Sequence, residues 1–435
     1  MSARKPREIA AHVLRQREAG DDYVENLLDR ALAGAALAPA DRALTQELIY
    51  GVVRWQGTLD WLIARKTGGR VQKPGLQVLL RLGLYQLFWL DRVPDHAALN
   101  ETVALARLLG FAHQAGFVNA VLRGYTRERA ETEQALAELR ASQPALGFSH
   151  PEWLCARWEK RWDVEKLRRL LEWNNTPPKT FARVNTLRTD AARLAAQWTS
   201  ERVKFAARSW DWTGPDLVFE LEAHPSLADL PSFKQGLFYV QDPSTLLAVH
   251  ALEPQPGECV LDLCAAPGGK TTFIAQLMQD RGRVVALDVS ADKLRLVAEN
   301  CRRLGITCVE PARAGTDLKS EISNLKFDRV LVDAPCSNTG VMRRRVDLRW
   351  RIRPEEIQRL AQAQIDLLRQ AAQRTKTGGT LVYSTCSLEP EENGEVVKRF
   401  LSEHPEFKLA SERELLPFAD AVDGAYVAKL VRERE

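Results

Sequence analysis

Apolar positions recur along this chain with three textures. From Arg4 to about Arg140 they keep a helical period. Val24, Leu27, Leu28, Ala31 and Leu32 share one face, as do Leu44, Leu48, Ile49, Val52 and Trp55, and strand signals are almost absent. This stretch predicts an all-helical bundle. Between about Phe148 and Leu230 the runs shorten and turn signals appear, such as Asn174-Asn175-Thr176-Pro177-Pro178. A small α/β segment is expected there, with strands at Phe181 to Val184 and Leu217 to Leu221 and helices at Val164 to Trp173 and Asp190 to Trp198. From about Phe238 onward, apolar strand runs alternate with helical ones, which predicts a doubly wound parallel sheet. Its strands are expected at Cys259 to Leu263, Arg283 to Asp288, Thr307 to Glu310, Asp328 to Asp333, Thr380 to Ser384 and Tyr426 to Val431. Its helices are expected at Lys270 to Met278, Ala291 to Leu304, Pro354 to Arg374 and Glu391 to Glu403. The expected domains are therefore residues 1–145, 146–235 and 236–435.

A length of 435 residues suits three domains, and 45% hydrophobic with 27% charged residues is ordinary globular usage. The longest apolar run, Leu82 to Leu90, is broken by Gln86 and is too short to cross a bilayer. No apolar segment follows the basic N-terminus, so no membrane attachment and a cytoplasmic location are expected. The seven cysteines (Cys155, Cys259, Cys264, Cys301, Cys308, Cys336 and Cys386) form no C-x-x-C pair and lack zinc-type spacing, so neither a disulfide scaffold nor a metal is expected. The net charge of +4 is small, and no electrostatic funnel stands out in the helical part. The tryptophans Trp153, Trp158, Trp162, Trp173, Trp198, Trp210 and Trp212 admit two readings, core of a small domain or base-stacking surface.

Ligands of doubly wound sheets sit beyond the carboxyl ends of the strands. The first strand runs into Cys264-Ala265-Ala266-Pro267-Gly268-Gly269-Lys270-Thr271, small residues that let backbone approach a ligand before a helix begins. A phosphate-binding P-loop would need a glycine where Cys264 stands, and no arrangement of Gly268 and Gly269 supplies the dinucleotide pattern. A nucleoside cofactor without a pyrophosphate, such as S-adenosylmethionine, fits better. Asp288, at the end of the second strand, is placed to accept bonds from ribose hydroxyls, with Ser290 free to cap the next helix.

Two further strands end in cysteine loops, Asp333-Ala334-Pro335-Cys336-Ser337 and Thr385-Cys386-Ser387. As neighbouring strands, about 5 Å apart, they would present two thiols to one substrate atom. Carbon 5 of a pyrimidine is a poor nucleophile until a thiolate adds at carbon 6, and a second group must then help remove the carbon-5 proton. Asp333 can hydrogen-bond the amino and ring-nitrogen edge of cytosine. Methylation of an exocyclic amine is disfavoured, because the aromatic that such enzymes usually present at this strand end is replaced by Cys336. Arg343, Arg344, Arg345, Arg349, Arg351 and Arg353 follow closely, opposed only by Asp347, which predicts a positive lip contacting RNA. The target base would have to leave its stack.

Ala265-Ala266-Pro267-Gly268-Gly269-Lys270-Thr271, Asp333-Ala334-Pro335-Cys336-Ser337, Gly340, Arg343-Arg344, Thr385-Cys386-Ser387 and Pro390-Glu391-Glu392-Asn393 together resemble the Sun/Fmu family of RNA cytosine-C5 methyltransferases. The helical part, including Phe117-Val118-Asn119-Ala120-Val121-Leu122-Arg123, resembles a NusB domain, a pairing typical of bacterial 16S rRNA enzymes. The resemblance implies an all-α NusB-like bundle, a small α/β RNA-binding segment and a Rossmann-like class I methyltransferase domain. It implies Cys386 as nucleophile, Cys336 as the residue aiding product release, and Cys264 to Lys270, Asp288 and Asp333 around S-adenosylmethionine. Asp317 is a further candidate near the adenine, because Pro311-Ala312-Arg313-Ala314-Gly315-Thr316-Asp317 departs from the family's usual Gly-Asp. Asp423-Gly424-Ala425-Tyr426 stands where two aromatics are common. The implied substrate is one cytosine of 16S rRNA, position 967 in the RNA numbering, in naked RNA or an early assembly intermediate, with the enzyme a monomer. The same motifs would permit a tRNA substrate, and the helical part alone would suit a non-catalytic RNA-binding factor.

Overall fold

A computed structural model describes residues 5–33, 35, 37–315 and 325–433, so Asp317 lies outside the described residues. The chain packs as two compact units. One comprises Met1–Pro177 with Met342–Arg351, the other Pro178–Val341 with Ile352–Glu435.

The first unit is helical, as its apolar period predicts. Helices Pro6–Ala19, Val24–Ala33, Pro39–Arg54, Gln56–Thr67, Pro74–Trp89, Asp95–Leu108 and Ala115–Arg127 surround a core that includes Leu28, Leu48, Ile49, Val52, Leu79 and Leu122. Prolines begin three of these helices, where the missing N–H removes no intrahelical bond. Helices Glu152–Glu159 and Val164–Asn175 belong to this unit rather than to the small sheet. Val346, from the late segment Met342–Arg351, is part of the same core.

The arginines of that segment depart from the expected lip. Arg343 and Arg349 are buried, and Arg351 is bound to Asp347 at 2.9 Å; Arg345 and Arg353 are the exposed members of the run. Arg349 donates to the carbonyls of Arg54 (3.2 Å), Ser149 (3.2 Å) and Asn174 (2.9 Å) and to the Asn175 side chain (2.8 Å). Two of those carbonyls end helices, where they have no intrahelical donor, so one guanidinium satisfies groups that would otherwise be buried unpaired. Asp347, fully buried, accepts from Arg17 Nε (2.7 Å) and the Val24 backbone (3.0 Å). Arg343 lies over the Trp173 ring at 4.0 Å.

The second unit holds two sheets. The smaller is antiparallel, formed by β1 (Thr180–Val184), β2 (Lys204–Arg208), β3 (Val218–Ala223) and β4 (Phe238–Val240) in the order β2-β3-β1-β4. Trp198 fills its core, wholly buried against Phe205, Phe219 and Phe238 at ring distances of 5.2–5.4 Å. Of the seven tryptophans singled out above, Trp158, Trp198 and Trp212 are buried packing groups, and Trp153, Trp162, Trp173 and Trp210 are half-buried.

The larger sheet contains β5 (Cys259–Leu263), β6 (Arg283–Asp288), β7 (Val309–Arg313), β8 (Phe327–Asp333), β9 (Thr375–Thr385), β10 (Phe407–Leu415) and β11 (Ala425–Arg432), ordered β10-β11-β9-β8-β5-β6-β7. β5 to β9 run parallel to one another, but β11 and β10 add an antiparallel edge, making the sheet mixed rather than wholly parallel. The edge strand β10 escapes the apolar pattern because Lys408, Leu409, Ala410, Ser411 and Glu412 are all exposed. β7 begins later than expected and contains Pro311, tolerated because β7 is the other edge. Chain order reverses at β5 and β8, which places the switch point, and its crevice, beside their carboxyl ends. Among the described residues no helix is long and apolar enough to cross a membrane.

Candidate active site

β5 ends in the small-residue loop and passes into helix Gly269–Leu277. Cys264 and Gly268 adopt left-handed backbone, φ +65° and +100°. A side chain at Gly268 would also press on Val297 Cα at 3.3 Å, so glycine serves both the turn and the close approach. Asp288 closes the loop from β6: Oδ1 accepts from the Ser290 backbone (2.9 Å), and Oδ2 accepts from the Ala266 backbone (3.3 Å). Ser290 caps helix Ala291–Leu304, accepting from Lys293 N, so Asp288 is released from capping. Beneath the loop, Asp262 is fully buried and accepts from Thr271 Oγ1 at 2.6 Å. Burial pushes its carboxyl up to about 7, with the carboxylates Asp333 and Asp288 adding to the effect against Thr271 and Lys270. Burial, then Asp333, Asp262 and Asp288, push the Cys264 thiol up to about 12.

Lys270, the last residue read above as part of the cofactor loop, reaches across to β8 and pairs with Asp333 at 2.7 Å. Burial opposes its charge, but the bond to Asp333 prevails and its pKa is raised, with Cys386 contributing in the same direction. Asp333 also accepts from Ser384 Oγ at 2.9 Å, its cross-strand partner on β9. No local spacing foretold this pair, because its members lie on different strand ends.

The parallel pairing of β8 and β9 brings the two cysteine loops together: Cys336 Sγ and Cys386 Sγ are 3.3 Å apart. Cys336 is buried and Cys386 half-buried. The hydrogen bond to Cys386, then burial, then the charge of Cys386 raise the Cys336 pKa well above its ordinary value. Asn338, absent from the sequence-based candidates, adopts φ +59° and places Oδ1 3.1 Å from Cys386 Sγ while Nδ2 donates to the Cys336 carbonyl at 2.6 Å. Gly340 lies against the other loop. Its N–H donates to the Cys386 carbonyl at 2.9 Å, its carbonyl accepts from Gly424 N at 2.9 Å, and a Cβ there would fall 2.7 Å from the Cys386 oxygen. Gly424 is thus a backbone contact where an aromatic was expected, and a side chain at 424 would strike Gly340 Cα at 2.8 Å. Among the described residues no cluster of His, Cys, Asp or Glu could hold a metal ion.

Comparison with known proteins identifies this arrangement. The family model "16S rRNA methyltransferase RsmB/F" matches residues 249–431, the NusB family matches 4–127, and the ferredoxin-like domain of RsmF/B-like methyltransferases matches 150–213. The probable ribosomal RNA small subunit methyltransferase B of Bacillus subtilis (strain 168) is 36% identical over 417 residues, covering 94% of this chain and 91% of the relative. The chain belongs to the RsmB/F family of 16S rRNA methyltransferases. The ribosomal RNA small subunit methyltransferase B of Escherichia coli (strain K12) is 38% identical over 405 residues, 90% of this chain and 91% of its own. The crystal structure of PH0851 is similar at 25% identity with a TM-score of 0.79, covering 99% of this chain and all of that one. As an RsmB/F member the chain is a methyltransferase joining a NusB-type helical part, a ferredoxin-like domain and a mixed-sheet methyltransferase domain.

Proposed function

We propose that this chain methylates carbon 5 of one cytosine in 16S rRNA, with position 967 the expected target, through a transient bond between Cys386 and carbon 6. The observation that carries the reading is the 3.3 Å approach of two thiols at adjacent strand ends beside a Lys270–Asp333 ion pair. S-adenosylmethionine, when bound, supplies an electrophilic methyl group. The loop suits it. Two small alanines and two glycines leave room for a nucleoside, and Asp288 accepts only single backbone bonds on each oxygen, so lone pairs remain for two ribose hydroxyls. Cys264 to Lys270 and Asp288 are the residues proposed to hold it, with Asp333 at its reactive end.

The sulfur of Cys386 adds to carbon 6 and makes carbon 5 electron-rich. Asp333 and Lys270 face the polar edge of the ring, where their opposite charges can accept from the amino group and donate to an oxygen or ring nitrogen. Once Cys386 is bonded to carbon, it no longer carries charge or shares a hydrogen with Cys336. Two of the three leading causes that hold the proton on Cys336, the bond to Cys386 and its charge, are then gone, and burial remains. Cys336 can then give up its proton to water, take the carbon-5 proton as the thiolate after methyl transfer, and let Cys386 leave with the bonding pair. The substrate is proposed to be naked RNA or an early assembly intermediate in the cytoplasm, and the enzyme to act as a monomer.

Two variants test this in one assay on 16S rRNA transcript. Cys386→Ala should abolish methyl transfer while retaining S-adenosylmethionine binding, and Cys336→Ala should accumulate a protein–RNA adduct that survives denaturing electrophoresis. Full activity of Cys386→Ala would refute the nucleophile, and normal turnover without adduct in Cys336→Ala would refute the release role. Bisulfite mapping of the product reads out the nucleotide.

A further inference from the structure

Behind the two thiols lies a carboxylate that the mechanism above does not use. Glu392 is fully buried at the turn that follows β9. Its Oε1 accepts from the backbone of Ser337 (2.8 Å), the residue after Cys336, and from Gln364 Nε2 (3.0 Å). Its Oε2 accepts from the hydroxyl of Ser387 (2.5 Å), the residue after Cys386. One side chain therefore grips both cysteine loops at the position next to each sulfur.

The surroundings make this grip specific. Ser337 Oγ and Ser387 Oγ are 3.0 Å apart, and the Ser387 oxygen also accepts from Glu389 N at 3.0 Å. Gln364, from helix Pro354–Arg374, donates to the Pro335 carbonyl at 2.9 Å with the same nitrogen that reaches Glu392. The turn itself is fastened to β9 and its loop. Tyr383 Oη donates to the Glu392 carbonyl (2.6 Å), Thr385 Oγ1 donates to Asn393 Oδ1 (2.6 Å), and Asn393 Nδ2 donates to the Ser387 carbonyl (2.9 Å). Burying a carboxylate is costly unless its lone pairs are met, and here both oxygens are met by three donors. An apolar side chain of similar size would leave the Ser337 N–H and the Gln364 amide without this acceptor.

We infer that Glu392 is a positioning residue that fixes the separation of the Cys336 and Cys386 sulfurs by holding both loops on one rigid carboxylate. The inference rests on the two-thiol reading of the reaction. Burial raises the Glu392 pKa, while its bonds to Ser337, Ser387 and Gln364 oppose that rise. Its charge in turn adds to the influences, led by Cys386, that keep the proton on Cys336. Glu392 thus has an electrostatic signature that mere support of the fold would lack.

The experiment compares Glu392→Gln, nearly isosteric, with Glu392→Ala in the full chain, alongside Cys386→Ala. Single-turnover methyl transfer to 16S rRNA transcript should fall about tenfold in Glu392→Gln and at least a hundredfold in Glu392→Ala. S-adenosylmethionine affinity, read by calorimetry, should stay within about twofold in both. Iodoacetamide alkylation of Cys336, mapped by mass spectrometry against pH, should move to lower pH in Glu392→Gln. Wild-type rates in both variants would overturn the inference, as would an unmoved alkylation profile. A loss of cofactor affinity as large as the loss of rate would do so too. If Cys386→Ala kept full activity, the two-thiol reading itself would fail. If Cys386→Ala were dead and both Glu392 variants normal, only the positioning role would fall.

Discussion

The thiol edge of the large sheet and the segment Met342–Arg351 lie only a few residues apart in the chain, yet they bury polar groups by opposite means. At the thiol edge the polar side chains are short and mostly uncharged: Ser337, Thr339 and Ser387 bond one another beside Glu392, Thr385 donates to Asn393, and Ser384 donates to Asp333. In the segment the work is done by long cations. Arg349 stays charged although burial, and then Arg54, lower its pKa to about 9, and it spends its donors on carbonyls of the helical unit. Short side chains hold backbone loops at hydrogen-bond distance. A guanidinium spans several groups at once and joins separate helices. Dense polarity after a strand end therefore has no single meaning. In one place it frames a site, and in the other it replaces missing helix caps.

The sharpest way to break the comparison is Arg349→Met, which keeps the stem and removes the donors. The carbonyls of Arg54, Ser149 and Asn174 then lose their partner, and the unit should lose about 3 to 5 kcal/mol of stability in urea unfolding. A change below about 1 kcal/mol would mean that water replaces the guanidinium.

Asp262 gives the next largest effect and carries a pH signature. Its folded pKa, about 7, lies above the ordinary 3.8. Below about pH 4 both folded and unfolded chains hold the proton, so stability is fully present. As pH rises toward 7 only the unfolded chain releases it, and stability erodes until both forms are ionised. At about 1.4 kcal/mol per pH unit the erosion is on the order of 2 to 4 kcal/mol. Asp262→Asn should flatten that decline between pH 4 and 7 relative to the unsubstituted chain, and equal slopes would contradict the buried neutral carboxyl. The smallest effect belongs to Arg345, exposed in the same run as Arg349. Arg345→Ala should change stability by less than about 0.5 kcal/mol. A larger loss would place Arg345 with its buried neighbours.

Much of this was legible in the residues. The helical period marked the first unit, and the alternation from Phe238 onward marked the parallel core of the large sheet. Strands at Cys259–Leu263 and Arg283–Asp288 fall where the apolar runs place them, because both faces of these strands are covered and, Asp262 apart, their interiors are apolar. The antiparallel edge was half hidden, since β10 is exposed along most of its length and bears no alternation. The cysteine loops were legible as strand ends. Arg343, Arg349 and Arg351 of the arginine run were misread because charge in a sequence does not say which groups await it.

By itself the sequence determined the elements, the family motifs and the two thiol-bearing strand ends, since periodicity and small-residue loops are local properties of the chain. Only the tertiary structure decided that Lys270 turns to Asp333, that Asn338 reaches Cys386, and that Glu392 sits between Ser337 and Ser387. These pairs join residues on different strands and turns, and which of them meet depends on strand order and register, which no local spacing encodes.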